Sequence, residues 1–291
     1  MITESNPLVS VLMTAYNREQ YIAEAIESVL ASSYTNFELI IVDDCSTDNT
    51  AVIAKEYASK DSRIKVFVNE HNLKDYPNRN KGASYAKGKY IKYLDSDDAI
   101  FSEGLEYCVR SMENYPDAGI GMQFFQNEYI DKVPLCWSSN KIIRHHFFVK
   151  GCLNIGPSGS IFKRDVFEVL GGFDTRFGVA SDNFFNIRLA ATYPVVLLPQ
   201  QFFFYRIHEG QEFKDKIGYL KYNHLYLKAL VENVDLPISV NEKEKLKKRL
   251  QKSFAIELIR HFLKTRRLSS VHSLMIGTQY SLKDMIRGLF Q

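Results

Sequence analysis

Three carboxylates fall within four residues at Asp95-Ser96-Asp97-Asp98, directly after the alternating run Lys89-Tyr90-Ile91-Lys92-Tyr93-Leu94. Like charges this close raise one another's pKa, so water or a cation must offset the repulsion. A solvated turn is one reading. The other is half of a metal site, because hard divalent cations such as Mg2+ take oxygen ligands, usually one or two carboxylates together with substrate phosphates. Other chemically able groups lie far off in sequence: Asp43-Asp44, the stretch Thr14-Ala15-Tyr16-Asn17-Arg18, Asp182 and His208. The D-x-D spacing does not decide between the readings; its place in the fold does.

The elements that would position these groups are legible. Val9 to Ala15 lies in a continuous apolar run with β-branched residues, which reads as a buried strand over 8–15. Ile22, Ala25, Ile26, Val29 and Leu30 then share one helical face, with Asn17 a candidate N-cap and Gln20 three residues on as in a capping box. The pattern repeats as strand 37–44, helix 46–60 with cap chemistry in Ser46 to Asn49, strand 63–69, helix 77–88 opened by Pro77, and strand 89–95. Such a β-α-β-α-β-α-β order implies an α/β fold, a mostly parallel sheet with helices on both faces. Ligands bind beyond the carboxyl ends of strands in these sheets. The polar clusters after strands one, two and four therefore converge on one rim. Beyond residue 100 the pattern loosens: a helix over 102–116, a strand over 118–130, mixed loops and short strands to Phe173, a helix over 181–193, a strand pair over 194–208, and a helical, basic stretch from about 212.

Two longer segments, "VSVLMTAYNREQYIAEAIESVLASSYTNFELIIVDDCSTDNT" and "NRNKGASYAKGKYIKYLDSDD", resemble the inverting family 2 glycosyltransferases of the GT-A fold. The resemblance is dense over 8–100 and continues more loosely to about 210 through "GPSGSIFKRDVFEVLGGFDTRFGVASDNFFNIRLA" and "YRIHEG". It implies a GT-A domain over 1–211, with a nucleotide-binding half at 8–100 and an acceptor-binding half at 101–211, followed by a helical basic extension over 212–291. It implies transfer of a sugar from a nucleotide-sugar donor, UDP-linked, to an acceptor hydroxyl on a glycan or lipid-linked sugar, with Mn2+ or Mg2+. Thr14, Ala15, Tyr16 and Arg18 match the lining of the nucleotide pocket. Asp43, with Asp44 beside it, matches the carboxylate that meets the base, Arg79 the residue over the nucleotide, and Asp95 and Ser96 the contact to ribose or sugar. Asp97 matches the metal ligand, His208 a histidine that some members bring to the metal or diphosphate, and Asp182 the general base.

The chemistry requires that division of labour. A departing nucleoside diphosphate gains negative charge that a divalent cation stabilises, while the attacking hydroxyl needs a carboxylate to take its proton. The sequence departs from the family at Ser181, where a Glu precedes the base. It lacks Q-x-x-R-W, and Trp137 is its only tryptophan, so single transfer rather than polymer extrusion is expected. Plainer roles stand beside the sharp ones: Asp43-Asp44 as turn and helix caps, Asp182 as an acid at a helix start, His208 as a packed histidine. Asp98 and the pair His145-His146 receive no role. A sugar-phosphate nucleotidyltransferase would need a glycine-rich loop after the first strand, and "TAYNREQY" has no glycine. A catalytically silent nucleotide-binding protein is the other alternative.

A net charge of +3 over 291 residues argues against nucleic acid as the main partner. Cys45, Cys108, Cys136 and Cys152 show no paired spacing, which suits reduced thiols in a cytoplasm. Neither a signal peptide nor a run of 18 apolar residues is present. The basic stretch Lys243 to Arg267 admits three readings: a solvated face, a helix lying peripherally on anionic lipid with Phe254, Ile256, Leu258, Ile259, Phe262 and Leu263 against it, or a homodimer contact.

Overall fold

A computed structural model describes residues 6–124, 133–208 and 216–290 of the chain. The expected elements of the first hundred residues form in order: β1 (Val9–Ala15), α1 (Ile22–Leu30), β2 (Phe37–Asp43), α2 (Thr50–Lys60), β3 (Ile64–Val68), α3 (Asp75–Ser84) and β4 (Tyr90–Tyr93). A two-residue β5 (Ala99–Ile100) and α4 (Gly104–Glu113) follow, then β6 (Ile120–Gln123), β7 (Leu135–Trp137), α5 (Ser139–Phe148), β8 (Ser160–Lys163), α6 (Arg164–Val169), α7 (Ser181–Thr192), β9 (Val195–Leu198) and β10 (Phe203–Phe204). Four helices complete the chain: α8 (Lys216–Asn233), α9 (Val240–Thr265), α10 (Leu268–Thr278) and α11 (Leu282–Phe290).

Eight strands form one sheet in the order β3-β2-β1-β4-β8-β6-β9-β7. The pairs β3/β2, β2/β1 and β1/β4 are parallel, and β8 is inserted antiparallel between β4 and β6. Chain order reverses between β1 and β4, the kind of crevice where such sheets take ligands. The sheet's two faces are covered separately. Leu12, Ile40, Val42, Ile91 and Tyr93 belong to one core, and Val9, Val11, Met13, Leu39 and Ile41 to the other. Alternation along each strand divides the residues in this way. Burial of each large aliphatic side chain contributes about 1.5–3 kcal/mol.

Several expectations are corrected. Asn17 does not cap α1, which begins at Ile22 after Tyr21 with no side-chain cap. Asn17 instead adopts φ 51°, and its Oδ1 accepts the Thr47 N–H at 2.9 Å. The segment before α1 is tied to the next loop and cannot wind into the helix. The cap chemistry expected of Ser46 to Asn49 does form at the start of α2, where Asp48 Oδ1 accepts the Thr50 N–H at 3.0 Å. α5 occupies a segment read as loops and short strands, with Ile142, Ile143, His146 and Phe147 on its buried face. Its helical spacing was masked by the turn-forming residues on either side. Buried His146 Nδ1 accepts the Cys152 and Leu153 N–H groups, so its role is to hold that turn. Residues 125–130 of the expected strand and the start of the extension at 212 lie outside the described residues. The four cysteines are free.

The C-terminal helices join the main body at first and leave it later. Tyr226, Leu230, Val231, Leu236 and Leu246 pack into the core beneath α5 and α7. Further along, Phe254, Leu258, Leu274 and Tyr280 form a small separate core. Phe254 and Leu258 are therefore turned into protein and are not a lipid-facing stripe.

Gly88 shows how tightly β4 is entered. A Cβ there would lie 2.5 Å from Ser10 N and 2.7 Å from Leu8 O. Gly88→Ala should destabilise the fold by about 1–3 kcal/mol, read as a lower urea midpoint at unchanged m-value.

Candidate active site

The loops after β1 and β2 are stitched together by polar groups. Asn17 N–H donates to Ser46 Oγ, Arg18 N–H to Thr50 Oγ1, Glu19 N–H to Asp48 Oδ2, and Asn49 N–H to Glu19 Oε2. Buried Asp43 accepts both the Ser46 N–H and its hydroxyl. Thr14 is half-buried and Ala15 buried at the end of β1, and Tyr16 is exposed beyond them. Asn17 and Cys45 both hold positive φ, at 51° and 64°. Single residues in this region cost little only when local bonds hold them.

Asp44 faces the other way. Its Oδ1 accepts Leu73 N–H (2.8 Å) and Asn69 Nδ2 (2.7 Å), and its Oδ2 accepts Lys74 N–H (2.9 Å). Lys74 has φ 70° and directly precedes α3, so this carboxylate fixes a strained entry to the helix. On α3, Asn78, Asn80 and Lys81 all hold neighbouring parts of the fold. Asn78 donates to Val42 O and to no residue of the cleft, Lys81 donates to Asn69, and Asn80 exchanges two hydrogen bonds with the Phe173 backbone. α3 thereby joins the first half of the sheet to the second.

Arg79 is the cationic centre of the cleft. Its Nε lies 2.7 Å from Asp75 Oδ1, and a terminal nitrogen lies 2.7 Å from Asp95 Oδ1. Its other terminal nitrogen is buried without a hydrogen-bond partner. Arg18 Nε and His208 Nε2 both reach Asp97 Oδ2, at 2.9 and 3.0 Å. The Arg206 N–H donates to Asp98 Oδ1, and its Nε to Asp97 O. One oxygen each from Asp95, Asp97 and Asp98 lie within 4.8 Å of one another. Asp98 is buried, and its Oδ2 has no hydrogen-bond partner. Burial first, and then the charge of Asp95, push its carboxyl up to about 7. Ser96 is buried beneath the turn. Three carboxylates, two of them (Asp95 and Asp98) with a buried oxygen that makes no hydrogen bond, fit a divalent cation such as Mn2+ or Mg2+.

Asp182 stands at the start of α7, half-buried. Desolvation pushes its carboxyl up to about 6, opposed by hydrogen bonds from Asn183 N–H and the Tyr76 hydroxyl. Through space, Asp75 raises it further and Arg79 lowers it. Ser181 donates to Asp174 O and Gly178 O and closes the turn before α7. Tyr226 of α8 stands close enough for Asp182's charge to raise its pKa further, beyond the effect of burial.

Residues unassigned from sequence also shape the site. Lys92 is wholly buried in β4, its Nζ donating to Tyr93 O (2.6 Å) and Ser158 O (2.5 Å). Ser158 Oγ in turn accepts the Asp95 N–H. Burial pushes the Lys92 amine down to about 8 against the pull of Asp95 and Asp98. A lysine within an otherwise apolar strand was the available signal. Tyr76 and Ser158 carried none.

A family model described as Glycosyl transferase family 2 matches residues 10–171. The uncharacterized glycosyltransferase MJ1057 of Methanocaldococcus jannaschii is 33% identical over 237 residues, 78% of this chain and 80% of its own. An Escherichia coli UDP-Glc:alpha-D-GlcNAc-diphosphoundecaprenol beta-1,3-glucosyltransferase, WfgD, is 42% identical over 105 residues, 36% of this chain and 41% of its own. Other curated relatives are matched over about half their length, 45%, 42% and 55% for three bacterial ones. In fold, Staphylococcus aureus TarS 1-349 in complex with UDP-GlcNAc superposes with a TM-score of 0.73 at 20% identity, over 97% of this chain and 81% of TarS 1-349.

The Asp44 contacts carry a prediction. Asp44→Ala removes a charged acceptor from three donors, of which Asn69 Nδ2 keeps Asn78 Oδ1 and the Lys74 N–H keeps Asn72 Oδ1, and should lower stability by about 1–3 kcal/mol, seen as a reduced Tm in the absence of any ligand.

Proposed function

This chain belongs to glycosyl transferase family 2, and from that premise we propose that it transfers a sugar from a UDP-sugar to an acceptor hydroxyl, inverting the anomeric centre in a single, non-processive step. The acceptor is a glycan or lipid-linked sugar, of the kind used to build cell-surface polysaccharide, and the enzyme works on the cytoplasmic side. The UDP donor and lipid-linked acceptor in WfgD's name support that reading. Residues 8–100 form the nucleotide-binding half, 101–211 the acceptor half, and 212–291 the extension. The observation that carries the proposal is the cluster of Asp95, Asp97 and Asp98, with one oxygen from each within 4.8 Å of the others, on a sheet rim separate from the carboxyl of Asp182, because inverting transfer requires one carboxylate site for the cation and another for the base.

The stitched loops 14–18 and 43–50 form the floor for the nucleotide, with Asp43 facing the base. Arg79 offers its unpartnered nitrogen to the negative charge of the donor. Asp95, with Ser96, meets the ribose or sugar. Asp97, with His208 and the orphaned oxygen of Asp98, would hold Mn2+ or Mg2+. When bound, that cation supplies Lewis-acid stabilisation of the departing diphosphate. Asp182 accepts the proton of the attacking hydroxyl. Tyr76 orients it and Tyr226 walls off water behind it.

Asp182→Asn should lower donor turnover about a hundredfold or more, with donor affinity in a Mn2+-dependent thermal-shift assay near the wild-type value. Near-normal turnover in that variant would remove Asp182 as the base. Because the folded-state pKa of Asp182 is raised, the group is protonated below about 6 and ionised above it. kcat/KM should therefore fall as pH drops through about 6 and level off above it. A flat acid limb in wild type would refute the assignment. Asp97→Asn should lose the extra Tm that Mn2+ adds to UDP binding, and chelator should do the same to wild type.

A further inference from the structure

α11 lies on α9 by one face and leaves the other bare. Gly288 is buried, and a Cβ there would sit 2.8 Å from Gln251 O, so the two backbones are in direct contact. Tyr280 donates its hydroxyl to the same carbonyl. Asp284, the helix's only acid, is used at its start: its Oδ2 accepts the Ser281 N–H while Ser281 Oγ accepts the Asp284 N–H. The outward residues are Leu282, Ile286 and Phe290, exposed by 65%, 51% and 87%, together with Lys283 and Arg287. Three large apolar side chains at helical spacing, with Lys283 and Arg287 beside them and the one acid, Asp284, engaged at the helix start, make an amphipathic interfacial face.

The turn from α9 to α10 has the same chemistry. Leu263 and Leu268 are exposed there with Lys264, Arg266 and Arg267. Between Glu257 and Asp284 the sequence contains no acidic residue. We propose that α11, aided by this turn, seats the enzyme on an anionic lipid bilayer, with Leu282, Ile286 and Phe290 entering the headgroup–acyl boundary and Lys283 and Arg287 meeting lipid phosphates. The contact is peripheral, since among the described residues no helix is long and apolar enough to cross a membrane. Charge selects lipid over a second copy. A two-fold dimer through this face would bring two like-charged faces together, whereas an anionic surface attracts both Lys283 and Arg287. The inference rests on exposure and charge, not on the catalytic reading.

Co-sedimentation with phosphatidylcholine vesicles, with and without phosphatidylglycerol, tests it without any sugar substrate. The full chain should bind the mixed vesicles, release with added salt, and ignore the neutral ones. Lys283→Glu with Arg287→Glu should lower the partition coefficient at least tenfold, since each basic residue near such a surface contributes about fivefold. Ile286→Ser with Phe290→Ser should lower it comparably, while Lys283→Arg with Arg287→Lys retains it. All these side chains point outward, and unchanged melting curves verify the fold. Equal partitioning onto both vesicle types, equal binding of wild type and the charge-reversed variant, or a dimer in light scattering that the same substitutions dissolve would overturn the proposal.

Discussion

Crowding three carboxylates at the end of β4 is the constraint from which the rest of this site follows. Each acid is answered by a group from a different part of the chain. Asp95 takes Arg79 of α3, and Asp97 takes Arg18 after β1 and His208 beyond β10. Asp98 takes the Arg206 backbone, and Lys92 lies beneath them all. No single segment holds enough positive charge nearby, so the turn draws on three segments distant in sequence: α3, the loop after β1 and the residues beyond β10. Asp98 Oδ2 and Asp95 Oδ1 are still left without a hydrogen bond, the latter meeting Arg79 only as an ion pair. A fold that tolerates this has not minimised its own electrostatic energy, which is what a site kept for a cation and a diphosphate would show.

Neutral hydrogen bonds hold the cations in place. The loops after β1 and β2 exchange backbone-to-side-chain bonds in both directions, and these hold Asn17 and Cys45 in left-handed conformations. Asp44 performs the corresponding task for Lys74 and so sets the direction of α3. Since α3 carries Tyr76, Arg79 and Asn80, its direction couples the acid turn, Asp182 and the Phe173 loop. An error of a few degrees at Lys74 would be felt at all three.

The extension divides into a part packed on the main body and a part with a core of its own. α8 packs on α7 and buries Tyr226 close enough to Asp182 for the carboxylate's charge to raise the Tyr226 pKa. Past Leu246 the helices have a core of their own, and their outward side chains are mostly cationic or apolar. Activity and surface attachment can thus be altered separately.

Much of this was legible in the residues. The alternation of apolar runs and helical faces over 8–100 specifies parallel β-α units, because a two-residue period and a 3.6-residue period are local properties of the chain. The rim follows from topology, so Thr14, Arg18, Asp43 and Asp95 could be assigned to it before any coordinates. Three things belonged to the tertiary structure. Asp44, adjacent to Asp43 and chemically identical, turns inward, because facing direction depends on which donors the 72–74 loop presents. Lys92 and Asp98 acquire shifted pKa values only once the second half of the sheet covers them. The bare face of α11 exists only because Gly288 lets the opposite face meet α9. Local periodicity is written in the sequence, whereas desolvation and the pairing of distant charges arise only when the chain has folded on itself.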